Sequence, residues 1–307
     1  PDFVLRSIDP ALPDVLRDGA KLAYIIAVEG VVLLKNNGAL PIKPWERIAV
    51  FGVAQHWSWY YHEGGSAYVP VSPERCVTLL EGLRNAGARV DEELIEFYEQ
   101  WVKERGVTRR IHWWTVTVAD EPWFSDDEIE YYSKKNDVAV VVISRWSMEG
   151  GDVPAGSRGT ITTWNGLSVE VPGYRLTPQE EHMIKLVSKH FNKTVVILNT
   201  PGPIDMSWDS PEIDAILWVG YPGEQGGNAV AAILLGYASP SGKLPDTWAH
   251  TLDDYPSTRY FGVADPVYWE DIYVGYRYFD TFGVDVAYPF GHGLSYTRFA
   301  VDVVGVE

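Results

Sequence analysis

Four stretches of the chain are apolar almost without interruption: RIAVFG (47–52), DVAVVVIS (137–144), KTVVILN (193–199) and AILWVG (215–220). A strand with one wet face alternates apolar and polar residues, whereas one covered on both faces does not. Each run is short and β-branched, so each predicts a strand inside a doubly covered sheet. Between them, apolar positions recur every three or four residues, which predicts helices. LPDVLRDGAKLAYIIAVEG predicts a helix ending near residue 30. SPERCVTLLEGLRNAG predicts another, with Ser72 as N-cap, Pro73 at the first helical position and Gly87 as the stop. TPQEEHMIKLVSKHF carries a capping box from Thr177 to Glu180, with Met183, Leu186 and Val187 on one face. ELIEFYEQWVKER, DDEIEYYSKKN and EQGGNAVAAILLG, the last ending at Gly236, are three more.

Strands alternating with helices predict an α/β fold, a layered α/β/α sandwich with a mostly parallel central sheet. From about residue 239 onward Pro, Gly and aromatic residues dominate and helix signals vanish, so this tail is expected to wrap the sandwich. Right-handed crossovers bring the C-terminal ends of parallel strands to one edge, where sites usually form. Two long loops follow strands there, one from about Ala54 to Pro70 and one from about Arg145 to Arg175.

With 307 residues the chain can bury a large core. Its formal charge of −17 disfavours nucleic acid and anionic membranes as partners. No apolar run approaches the roughly 18 residues of a membrane span. The single cysteine, Cys76, excludes an intrachain disulfide; its spacing to Leu79, Leu80 and Leu83 predicts a buried core position on a helix. Compartment is left open, the cytoplasm slightly favoured. Tryptophans stand in several expected loops, among them Trp57, Trp123 and Trp146. Loop indoles are packing lids or, since the apolar face of a pyranose fits an indole, a sugar-stacking rim.

The second long loop opens with ISRWSMEGGDVPAGSRG (143–159), which holds Glu149 and Asp152 close to Trp146. Two carboxylates there suit a sugar-cleaving site, a metal site or plain loop decoration. Desolvation beside an indole would raise a carboxyl pKa and make Glu149 a proton donor, and the glycines after it allow close approach to a ligand. EGGSA (63–67) offers Ser66 and backbone N–H groups to a polar ligand, or is a simple turn. YPGEQGGNA (221–229) matches no phosphate-loop or dinucleotide pattern and is better explained by close helix–sheet packing. The seven histidines show no metal-ligand spacing, and no GxSxG elbow is present.

Taken together, AVEGVVLLKNNGALPI (27–42), LNTPGPIDMSW (198–208), YPGEQGGNAVAAILLGYASPSGKLPDTW (221–248) and EDIYVGYRYFDTFGVDVAYPFGHGLSYTRF (270–299) resemble the α/β sandwich domain of glycoside hydrolase family 3, which includes many β-glucosidases and β-xylosidases. DEELIEFYEQWVKER resembles the permuted group of that family, in which the sandwich precedes the catalytic barrel. The resemblance implies a family 3 sandwich over 1–298, with 239–298 as the wrapping tail and 299–307 as the start of a linker or a fibronectin type III-like domain. It implies a (β/α)8 barrel, on the same or another chain, that carries the aspartate nucleophile; no Ser/Thr-Asp-Trp-like motif occurs in this sequence. It assigns the acid/base to the glutamate of a TEG-D-like loop, here Glu149 of SMEGGD. The alternative acid/base at the fourth residue of the PG-x-E turn is closed, because that residue is Gln225. Two departures stand out: Asp152 is followed by Val153 rather than Arg, and 153–174 reads as an unusual insertion.

Carried through, the resemblance implies the acid/base-donating half of a retaining, exo-acting β-glycosidase, a β-glucosidase first, acting on terminal β-D-glycosyl residues of a β-glucoside or oligosaccharide. Ser66 is expected to hydrogen-bond a sugar hydroxyl, and Trp146 and Trp57 to stack on the leaving-group side. No metal or organic cofactor is required. The alternatives are a non-catalytic carbohydrate-binding or scaffolding module descended from such an enzyme and, more distantly, a nucleotide-binding α/β domain.

Overall fold

The structure, a computed structural model, describes residues 1–305 apart from 56–72, 112, 113, 163–165, 167, 262, 264, 266 and 301. Ser66, Trp57 and the expected N-cap Ser72 lie outside the described residues. In chain order the elements are α1 (Asp2–Ser7), α2 (Asp14–Gly30), β1 (Val32–Asn36), β2 (Arg47–Phe51), α3 (Leu79–Asn85), β3 (Arg89–Val90), α4 (Glu92–Arg105), β4 (Val107–Ile111) and β5 (Trp114–Val118). They continue as α5 (Asp126–Ser133), β6 (Val138–Ser144), β7 (Arg158–Thr162), β8 (Ser168–Pro172), α6 (Pro178–His190), β9 (Thr194–Asn199), β10 (Ala215–Trp218), α7 (Gly226–Leu234) and α8 (Tyr276–Phe282).

Six strands form the central sheet in the order β1-β10-β9-β6-β2-β3. Every neighbouring pair is parallel except β1 with β10, at the edge. The unbroken apolar runs now have their cause. Val138, Val140 and Val142 of β6 point into one core with Leu79, Leu80 and Leu83 of α3 and Val230 and Ile233 of α7. Ala139, Val141 and Ile143 point into the other, with Leu94 and Tyr98 of α4, Ile129 of α5 and Met183 and Val187 of α6. Two helical layers thus sandwich a mostly parallel sheet, as the pattern predicts. Each buried aliphatic side chain contributes about 1.5–3 kcal/mol by leaving water, so the layers hold the sheet from both sides.

Helix starts follow local chemistry. Thr177 and Ser125 close capping boxes on Glu180 and Glu128. The helix expected from Pro73 starts later: Pro73–Arg75 is a single 3-10 turn and α3 begins at Leu79, capped by Thr78 with Glu81. Thr78 offers a hydroxyl that accepts from the Glu81 N–H, and the Glu81 carboxylate accepts back from the Thr78 N–H. Cys76 therefore precedes the helix and is only partly buried, contrary to the core position expected for it.

The tail lies along the β1 edge. The N–H groups of Gly242 and Leu294 donate to the carbonyls of Val31 (3.1 Å) and Leu33 (2.8 Å). Trp248, fully buried, pairs with Tyr288 through two backbone hydrogen bonds of 2.9 and 3.1 Å. One helix that the tail composition hid, α8, is punctuated by Gly275 and Gly283 at φ +61° and +62°. Two antiparallel hairpins also escaped the periodicity, β4–β5 and β7–β8. The second is the unusual insertion.

Candidate active-site loop

β6 delivers the chain to the C-terminal edge of the sheet at Ser144, whose hydroxyl donates to Asn199 Oδ1 at the end of β9 (3.0 Å). Arg145 follows, fully buried. Its guanidinium makes a two-pronged pair with Glu180, Nη1 to Oε1 and Nη2 to Oε2, both 2.8 Å. The Nε–H donates to the Gly173 carbonyl, Nη1 to Ser144 O (2.8 Å) and Nη2 to Arg175 O (3.3 Å). Arg145 thus ties the first residue of the long loop to its last residues and to the cap of α6. A planar fork suits this task where an ammonium would not. Sequence reasoning missed Arg145; the usable signal was an arginine directly behind a wholly apolar strand with an unassigned capping-box glutamate downstream.

Beyond Arg145 the chain turns twice. The Ser147 N–H donates to Tyr221 Oη (2.9 Å), and the Tyr221 hydroxyl donates back to the Arg145 carbonyl (3.0 Å). Met148 and Gly151 then exchange backbone hydrogen bonds of 3.1 and 2.9 Å. Glu149 and Gly150 are the two central residues of this tight turn. Gly150 has φ +69°, which the second central position of a type II turn requires. A Cβ on Gly151 would come within 2.7 Å of Ile161 Cγ2 and Met148 Cγ, so the turn sits hard against β7. Glu149, at the corner, is exposed, as is Asp152.

Trp146 corrects an expectation. Its side chain is 3 % exposed and lies in a small apolar cluster with Met148, Ile161, Val169 and Val171. Burial against the β7–β8 hairpin leaves its indole no open face for a sugar. The ring instead glues the insertion to the Glu149 turn. His182 is partly buried, stacked on Trp123 with its Nε2–H donating to the Phe124 carbonyl (2.8 Å).

Glu121 is a second carboxyl that no sequence signal marked. It is 7 % exposed, and its Oε1 accepts from the Val53 N–H at 2.8 Å. Burial raises its pKa to about 8; the Val53 N–H opposes the rise, Glu180 adds to it and Arg145 opposes it. At neutral pH it is mostly a neutral acid. It lines a cavity of about 30 Å³ with Ser144, Thr177 and Glu180, room for a water among polar groups. Among the described residues, no three His, Cys, Asp or Glu side chains converge as a metal site would need.

The glycosyl hydrolase family 3 C-terminal domain matches residues 31–296. The chain is 36 % identical over 289 residues to a β-glucosidase of Ruminococcus albus, covering 91 % of this chain and 28 % of that protein. To β-glucosidase A of Butyrivibrio fibrisolvens it is 34 % identical over 304 residues, covering 92 % and 35 %. Among solved structures, β-glucosidase 3B of Thermotoga neapolitana in complex with glucose superposes with a TM-score of 0.81 at 38 % identity, covering 94 % of this chain and 39 % of that one. A β-glucosidase of Paenibacillus barengoltzii gives 0.80 at 39 %, covering 94 % and 30 %. The chain therefore spans between 28 % and 39 % of the length of these relatives.

Proposed function

The chain belongs to glycosyl hydrolase family 3, by its match to the domain of that family described as C-terminal, and from that premise we propose that it supplies the acid/base of a retaining, exo-acting β-glucosidase. The nucleophile stands on a (β/α)8 barrel carried elsewhere, downstream or on a separate chain. The observation that carries this reading is the placement of Glu149: an exposed carboxylate at the corner of a hydrogen-bonded turn, on the loop that leaves a central strand at the sheet edge where sites form. A barrel aspartate attacks the anomeric carbon while the Glu149 carboxyl protonates the departing oxygen. Glu149, now a carboxylate, then takes a proton from the water that releases the sugar. Retention requires the two carboxyl groups about 5–5.5 Å apart, which is a demand on the barrel interface rather than on this chain alone. Ser66 and Trp57, on the preceding loop, are assigned to hold sugar hydroxyls and the leaving group respectively. The substrate is a terminal, non-reducing β-D-glucosyl residue.

Glu149→Gln in the complete enzyme tests the assignment. Turnover of cellobiose, whose leaving group needs a proton, is expected to fall by about 10²–10⁴-fold. Glycosylation by an activated aryl glucoside is spared, and azide restores the slow second step. Wild-type rates on cellobiose would end the proposal.

A further inference from the structure

An open cleft of about 650 Å³ lies between the C-terminal part of α4, the segment after β5, the start of α6 and the inserted β7–β8 hairpin. That volume falls within the range of small-molecule sites, about 300–1,000 Å³. Two indoles line it, Trp101 and Trp123, and both are held in place. The Trp101 Nε1–H donates to the Asp120 carbonyl (2.7 Å), and the Arg105 guanidinium sits 4.1 Å over the ring. Trp123 stacks on His182 at 4.2 Å between ring centres and 9° between planes. It is nevertheless 62 % exposed, so the face away from His182 is open. An indole fixed on one face and bare on the other is a preorganised platform, and preorganisation removes much of the entropic cost of binding.

The polar lining points to an uncharged ligand. Arg158 pairs with Asp120, and with Glu170 at 3.7 Å. With Arg105 this gives two cations facing two carboxylates; the third acid, Glu121, is mostly neutral at pH 7 for the reason given above. Among the described residues the charges of the cleft balance, on a chain of net charge −17, which suits neither an anion nor a cation. Forked donors and carboxylate acceptors beside flat aromatic faces match the vicinal hydroxyls and the C–H faces of a pyranose.

We propose that this cleft binds a neutral, β-linked oligosaccharide, with Trp123 as the stacking platform and Arg158 and Asp120 hydrogen-bonding ring hydroxyls. All-equatorial β-linked glucose presents the flattest faces of the common hexoses. The site stands on its own residues, so it holds whether or not Glu149 is the proton donor. Its walls come from the insertion, which Trp146 fastens to the Glu149 turn.

Titration of the 307-residue chain with cellotetraose, followed by intrinsic tryptophan fluorescence, tests the site. A saturable change is expected. Trp123→Ala should weaken binding about tenfold or more, as loss of an aromatic anchor does. Ser168→Trp, on an exposed strand position at the rim, should abolish it by filling the cleft. Absence of saturable binding, or unchanged affinity in Trp123→Ala with an unchanged melting curve, would overturn the proposal.

Discussion

At the scale of single residues, the loop that presents Glu149 depends on groups that never meet solvent. Arg145 satisfies its whole donor fork inside the protein, and breaking such a buried pair leaves an uncompensated charge. Glu121, nearby, makes the opposite choice and keeps its proton. The consequence for stability has a definite sign. Below the ordinary carboxyl value of 4.5, Glu121 is protonated in folded and unfolded chains alike. Between 4.5 and about 8 the unfolded chain has lost the proton and the folded one retains it. The folded state binds more protons, so stability falls as pH rises through that window, by at most about 1.4 kcal/mol per pH unit. Glu121→Gln keeps an acceptor for the Val53 N–H and removes the titration. Urea denaturation of this variant across pH 4.5–8 is expected to show a flatter profile than wild type and higher stability at the alkaline end. Equal slopes in the two proteins would show that Glu121 ionises freely in the fold.

At the scale of elements, α3 and α7 approach so closely that their backbones touch. A Cβ on Gly82 would lie 2.1 Å from the Gly227 carbonyl oxygen, and one on Gly227 would lie 1.9 Å from the Thr78 carbonyl oxygen. Gly227 of YPGEQGGNA thus serves packing, but between two helices rather than between helix and sheet, whereas Gly223, at φ +73°, serves the turn. Because the obstacle is backbone, no rotamer change relieves it. Gly82→Ala is expected to cost about 1–3 kcal/mol or more, read as a lowered melting temperature. Helix propensity alone favours alanine there by about 1 kcal/mol, so a stabilised variant would refute the contact. The same pair shows where sequence reasoning reaches. Periodicity located the four unbroken apolar strands and most helices because both record burial, and burial dominates those elements. β1 and β3 went unread, since each pairs with a strand set apart in the sequence, β1 with β10 and β3 with β2; the two hairpins pair locally and went unread because they stand outside the unbroken apolar runs. The Glu149 turn was legible through its glycines, Gly150 for its φ and Gly151 for its contact with β7. Trp146 was misread because an indole in a loop looks the same in sequence whether a hairpin covers it or a sugar does. Arg145 and Glu121 went unread for a related reason: their roles arise from residues brought together across 35 and 68 positions of chain.

At the scale of the whole molecule, the acid/base role proposed for Glu149 would be half a reaction. A single exposed carboxyl can donate a proton, yet a retaining hydrolase also needs a nucleophile that forms the covalent sugar ester. The sequence carries no aspartate in the expected motif, and its relatives are about three times as long. Tyr268 is 94 % exposed, Phe261 77 % and Trp269 61 %, and these rings belong to one tail segment. Large apolar groups gathered on a surface mark interfaces more often than free solvent-facing skin. The 307-residue chain, assayed by itself with an activated aryl β-glucoside, is therefore expected to show no turnover above buffer, although it folds around its own two-sided core. If the proposal holds, activity should appear only when a family 3 barrel domain is supplied, and Tyr268→Asp should weaken that reconstitution without lowering the melting temperature of the isolated chain. Turnover by the isolated chain would mean that a second carboxylate of its own completes the pair, and Asp152, three residues from Glu149, would then be the first to replace.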